Sequence, residues 1–93
     1  MPYIKLPRRK KYDLGINSIL SHLKETMIKE PFELCGDMTY IFYKIAKKIG
    51  TTGEMKYFKH AWIEKALSKA EDEYKRRISE PYEDNKIKEN GDV

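Results

Sequence analysis

The chain has 93 residues, of which 40% are hydrophobic and 37% are charged. A chain of this length buries only about 60 to 65% of its unfolded surface, so we expect one domain over residues 1–93 with a thin core. Its apolar runs are far shorter than the roughly 20 residues that a membrane-spanning helix needs, which predicts no membrane partner. Cys35 is the only cysteine and no secretory signal opens the chain, so we expect a cytoplasmic location.

The first segment, MPYIKLPRRKKYD, combines two prolines with a basic run. Prolines oppose an early helix and like charges repel, so the segment predicts an extended arm over residues 1–12. Its basic residues are Arg8, Arg9, Lys10 and Lys11. Either a solvated leader or an arm that contacts a partner fits this pattern.

A helical core is predicted over residues 13–80. Asp13 is a plausible N-cap for a first helix, which Pro31 ends. The apolar residues of this helix recur at helical spacing and are Ile16, Ile19, Leu20, Leu23 and Met27. Asp37 offers a cap for a second helix, which Gly50 ends. Its apolar residues are Met38, Ile41, Phe42, Ile45, Ala46 and Ile49.

The third helix is predicted to be the longest. Thr51 and Glu54 have the capping-box spacing, and the helix is expected from Thr52 to Glu80. Its main apolar residues recur every four positions and are Phe58, Trp62, Ala66, Ala70, Tyr74 and Ile78. Pro81 is expected to end it, and residues 81–93 form an extended tail that Tyr82 and Ile87 anchor on a neighbouring element.

The lengths of the helices predict self-association. The third helix would reach about 42 Å, against about 25 Å and 18 Å for the others, so part of it has no cover within the chain. The prediction is therefore an all-α, three-helix protein with a basic arm and an extended tail, associating as a homo-oligomer. Its expected interface is formed by Trp62, Ala66, Ala70 and Ile78. The alternative is that the helix bends, or that its charged last turns need no cover.

Three patches resemble a family of small uncharacterised helical proteins of phage and prophage genomes. They are the MPYI start with its basic run before YD, the segment GDMTYIF, and the closing YKRRISEPYEDNKIKENGDV, whose PYEDNKIKENGDV end is the most specific. The resemblance does not extend to MIKEPFELC or to GTTGEMKYFKHAW. It implies a phage-related protein in the host cytoplasm and supplies no catalytic residues.

The residues that could carry chemistry are few. Two histidines and one cysteine exclude a zinc site of the two-cysteine, two-histidine kind, and no phosphate-loop motif is present. Nucleophilic residues are not grouped at a recognisable spacing. We therefore predict a protein that is not an enzyme and that uses no metal or cofactor.

The end of the third helix is the predicted ligand site. Arg76 and Arg77 lie beside Tyr74 and just before Tyr82, and arginine and tyrosine are residue types that bind phosphates and stack on bases. With Asp84 and Asn85 from a docked tail, they would form a cleft between subunits. The alternative is that both arginines complement the helix dipole and pair with Glu73, Glu80 or Glu83.

Two classes of function follow. The first is a phage-encoded binding protein that counteracts host defence by capturing a small anionic, nucleotide-like ligand or by blocking a host protein. The second is a nucleic-acid-binding or regulatory protein, in which the basic arm and the lysines of the second helix, Lys44, Lys47 and Lys48, follow a phosphate backbone. A formal net charge of +4 is modest for a duplex binder, so the first class is preferred.

Overall fold

The computed structural model describes residues 4–54 and 57–91, and every regular element in those two ranges is helical. The elements are α1 (Leu6–Lys29), a 3-10 turn (Pro31–Glu33), α2 (Leu34–Gly50), α3 (Tyr57–Tyr74), a π-helical turn (Lys75–Ser79) and α4 (Glu80–Asn90). The all-α prediction is confirmed. The chain divides into a first compact unit with α1 and α2 and a second with α3, the π turn and α4. No helix in the described ranges is long and apolar enough to cross a membrane.

The predicted extended arm is wrong over residues 6–12, which form the first turns of α1. Pro7 lies in the first turn, where a backbone N–H has no partner within the helix and proline costs nothing. Lys5 is the extended residue before the helix, and Asp13 lies inside it rather than capping it. The part of the arm that covers residues 1–3 lies outside the described residues.

The first unit is a helical hairpin. Its first helix ends at Lys29, and Glu30 leaves the helical region (φ −141°, ψ 63°) as expected before Pro31. The 3-10 turn then leads directly into α2, which begins at Leu34, so Asp37 lies in its first turn instead of capping it. The two helices contact each other along a line of partly buried residues, which include Ile19, Leu23, Thr26, Asp37, Met38 and Ile41.

The second helix ends at Gly50 as predicted, but the third does not begin at Thr52. The hydroxyl groups of Thr51 and Thr52 donate back to the carbonyl groups of Lys47 and Lys48, on the last turn of α2. Gly53 follows with a φ of 73°, a left-handed conformation that favours glycine and interrupts a helix. The third helix begins at Tyr57.

The second unit is one uninterrupted helical stretch from Tyr57 to Asn90. The predicted end at Pro81 and the predicted extended tail are therefore wrong as far as Asn90. In a regular α-helix the ring of Pro81 would meet the carbonyl group four residues earlier. The preceding π turn alters this pattern, since the N–H of Glu80 donates to the carbonyl group of Lys75, five residues back. The proline is accommodated and the helix continues.

Burial within the described residues is slight. Gly50 is the one residue among them that is classed as buried, and none of them contributes a buried hydrophobic side chain. Large side chains such as Phe42 (50% exposed), Trp62 (64%) and Ile78 (54%) keep about half or more of their surface. The chain therefore presents apolar helix faces that a folded core would normally remove from water.

Candidate functional site

The two arginines of the predicted ligand site share one carboxylate. Arg76 Nη2 donates to both oxygens of Glu73, at 2.8 and 3.0 Å. Arg77 Nε lies 3.0 Å from Glu73 Oε2. Both arginine side chains are more than half exposed, whereas the Glu73 side chain is 22% exposed. The alternative pairing with Glu73 is thus present, with two guanidinium groups on one carboxylate.

The tyrosines lie on either side of the arginine pair along the helix. Tyr74 ends α3 and is 62% exposed, and Tyr82 lies in the first turn of α4 and is 61% exposed. Lys86 Nζ is 5.7 Å from the centroid of the Tyr82 ring, a cation–π contact. The arginines and tyrosines of the predicted site thus fall within three turns of one helical stretch.

Asp84 and Asn85 are exposed residues of α4. The prediction that a tail folds back and carries them into a cleft is wrong, because residues 80–90 continue the helix. Their distance from the arginines is set by helical geometry. They lie about two turns further along the same helix, at 1.5 Å per residue.

Lys75 belongs to the same stretch but has its own partner. Its Nζ lies 3.0 Å from Glu71 Oε1 on an exposed surface. The hydrogen bond to this carboxylate, followed by its charge, raises the pKa of Lys75 above the ordinary 10.5. Lys75 is therefore fully protonated at neutral pH, but its positive charge is matched locally.

The basic residues of the predicted arm do not form one face. Arg8, Arg9, Lys10 and Lys11 are all exposed on the first turns of α1. Successive residues of an α-helix are rotated by about 100°, so four in a row point to all sides. Arg9 Nε donates to the carbonyl group of Ile4 at 2.6 Å, and Lys11 Nζ lies 5.6 Å from the ring of Tyr12. This dispersal disfavours a single phosphate-binding patch at the N-terminus.

A feature that the sequence patterns do not predict is an open cleft between α1 and α2. It has a volume of about 210 Å³ and is lined by His22, Leu23, Thr26, Asp37, Tyr40 and Ile41. Thr26 Oγ1 donates to Asp37 Oδ2 at 2.9 Å across the hairpin, in a partly buried position. The only sequence signal is that these polar residues lie next to the apolar stripes of both helices. The lining of the cleft places the imidazole of His22 and the phenol of Tyr40 together with the apolar side chains of Leu23 and Ile41.

The predicted interface residues all lie in the second unit. Trp62 packs its ring on Phe58, with centroids 4.8 Å apart. Ala66 and Ala70 are exposed on α3, and Ile78 is exposed in the π turn. Within residues 4–54 and 57–91, no cluster of three or more histidine, cysteine or carboxylate side chains could hold a metal ion.

A protein-family model described as "Domain of unknown function (DUF6899)" matches residues 1–93. The chain belongs to the DUF6899 family. No curated protein and no solved structure matches it. This DUF6899 protein presents exposed apolar helix faces and a charged cluster around Glu73.

Proposed function

We propose that this DUF6899 protein is a non-enzymatic binding protein that assembles from identical chains and captures a small anionic, nucleotide-like ligand. The observation that carries the proposal is that no described residue contributes a buried hydrophobic side chain. Apolar area gains about 25 cal/mol per Å² on leaving water, so uncovered faces on both units favour association with further copies. Sites formed between copies are then available to a ligand.

The charges support an anionic ligand. The chain carries a formal net charge of +4. Arg76 and Arg77 both contact the carboxylate of Glu73, and their side chains are 62% and 58% exposed. Guanidinium groups bind phosphate through paired hydrogen bonds, and neighbouring tyrosine rings can stack on a base. The resemblance to phage proteins supports a nucleotide signal of host defence as the natural ligand.

Blocking a host protein is a second candidate, and it is favoured by Phe32. This residue lies in the 3-10 turn at the tip of the hairpin and is 99% exposed. Exposed aromatic residues are frequent anchors of protein–protein interfaces. A substitution of Phe32 that abolishes inhibition of a host target but leaves ligand binding intact would identify this role.

Thermal unfolding in the presence of mono-, di- and cyclic nucleotides tests ligand capture. We expect one nucleotide to raise the unfolding temperature of the wild type. The double variant R76A/R77A should lose this response, and the matched control R8A/R9A should keep it. A flat response to the whole panel would contradict the proposal.

Salt dependence separates this function from nucleic-acid binding. A protein that neutralises six to ten phosphates loses about 10³- to 10⁵-fold in affinity between 50 and 200 mM salt. A site with two arginines should lose far less over the same range. A steep loss, together with binding to duplexes of unrelated sequence, would favour the nucleic-acid alternative.

A further inference from the structure

The second unit carries one straight apolar strip, which becomes apparent only with the π turn. A strict four-residue repeat rotates by about 40° at each step of an α-helix, which has 3.6 residues per turn. The repeat from Phe58 to Ile78 would therefore wind around an unbroken α-helix instead of following its axis. Trp62 and Ile78 would not share a face.

The π turn offsets this rotation between Tyr74 and Tyr82. It closes its hydrogen bond over five residues and takes up about one extra residue relative to an α turn. Along α3 the steps of four, three and four residues from Ile63 to Tyr74 return to nearly the same side of the helix. The π turn keeps the next two steps of four residues, to Ile78 and Tyr82, on that side. We call this line the apolar seam, formed by Ile63, Leu67, Ala70, Tyr74, Ile78 and Tyr82.

We infer that the central part of the apolar seam, from Tyr74 to Tyr82, pairs with the same part of a second copy, antiparallel, about a two-fold axis at Ile78. The inference rests on the proposed function, because it names the face through which two copies meet. The spacing Tyr74, Ile78, Tyr82 reads the same in both directions. An isologous two-fold contact requires this kind of self-complementarity, and here each Tyr74 meets the other copy's position 82.

The exposed area fits a reversible dimer. Tyr74 and Tyr82 are 62% and 61% exposed, and Ile78 is 54% exposed. An aromatic side chain buries about 150 to 250 Å². Scaled by these exposures, the four tyrosines and two isoleucines of the pair would remove roughly 650 Å² of total surface, less than the roughly 1,200 Å² of a standard stable interface, so the pair would be a weak dimer. The association should therefore depend on protein concentration.

Charges at the edge of the seam favour the antiparallel arrangement. A two-fold axis at Ile78 places Ala70 opposite position 86 of the other copy. The small alanine leaves room for the stem of Lys86, whose ammonium group can then reach Glu71. A parallel arrangement would instead place each charged residue opposite the identical residue of the other chain, so that like charges would meet. Arg77 lies about a quarter turn from Ile78 and Arg76 about half a turn from it, so neither is covered in the antiparallel pair.

The first experiment compares I78E with the matched control I87E by sedimentation over a wide range of concentration. Ile87 is 48% exposed on the same helix and lies about half a turn away from the seam. We expect I78E to raise the dimer dissociation constant about 30-fold or more, as for a central interface residue, and I87E to leave it unchanged. Circular dichroism checks that both variants stay helical.

Disulfide trapping provides a second readout, which reports the register of the two helices directly. In a C35S background, a mixture of Y74C and Y82C chains should give the mixed disulfide, whereas each chain alone should link poorly. Two results would overturn the antiparallel seam and leave the proposed function standing. One is an oligomeric wild type whose dissociation constant I78E does not change. The other is disulfide formation only between identical variants, Y74C with Y74C or Y82C with Y82C. A wild type that is monomeric at every concentration would remove both.

Discussion

The hydrogen bond between Thr26 and Asp37 gives the most direct test of the hairpin. T26V keeps the shape and β-branching of the side chain but removes the hydroxyl that donates to Asp37 at 2.9 Å. Hydrogen bonds to charged groups are worth about 1.5 to 3 kcal/mol, and we take about 1 kcal/mol here because the pair is only partly buried. For a chain of this size, that loss should lower the unfolding temperature by about 4 to 8 °C.

The assay is thermal unfolding followed by circular dichroism, at one protein concentration for all variants. The matched control is T39V, since the Thr39 hydroxyl donates to the carbonyl group of Cys35 within α2 on an exposed surface. T39V should change the unfolding temperature by less than half as much. Equal effects of the two substitutions would show that the Thr26 contact does not join the helices, and the hairpin geometry would be wrong.

Three further predictions concern the second unit. P81A allows a regular α turn and should rotate Tyr82 away from the seam, so we expect more helix by circular dichroism but a weaker dimer; an unchanged dimer would argue against the role of the π turn. E71Q removes the partner that raises the pKa of Lys75, so the titration midpoint of its side-chain carbon signals should fall towards 10.5. The stabilisation from this pair is complete below about pH 10.5 and is lost as pH rises through the raised pKa, and an unshifted midpoint in E71Q would disprove the contact. E73Q leaves both arginines without their shared carboxylate and should tighten binding of the nucleotide that shifts the wild type, measured by calorimetry, whereas E89Q, which alters an exposed pair with Lys86, should not.

The sequence predicts helix ends well where the signal is local. Pro31 restricts the residue before it, and Gly50 ends α2, so both boundaries follow from backbone chemistry alone. Pro7 and Pro81 mislead because the effect of proline depends on its position within a helix. Pro7 lies in a first turn and Pro81 follows a π turn, and neither context is visible in the neighbouring residues.

The site was less predictable than the helices. Residue type alone singles out four residues of the site, Tyr74, Arg76, Arg77 and Tyr82. Their arrangement around the helix depends on the π turn, which no local sequence pattern predicts. The approach of Thr26 to Asp37 depends on how the hairpin closes, which is a tertiary effect. The four-residue repeat also predicted one continuous face on the third helix, and helical rotation shows that only part of it shares a face with Ile78.

Copies of this chain are expected to cover each other's apolar faces. Size-exclusion chromatography with light scattering measures this association directly, because the mass does not depend on shape. We expect an average mass above 11.1 kDa that falls towards 11.1 kDa on dilution. A mass of 11.1 kDa at every concentration would contradict it.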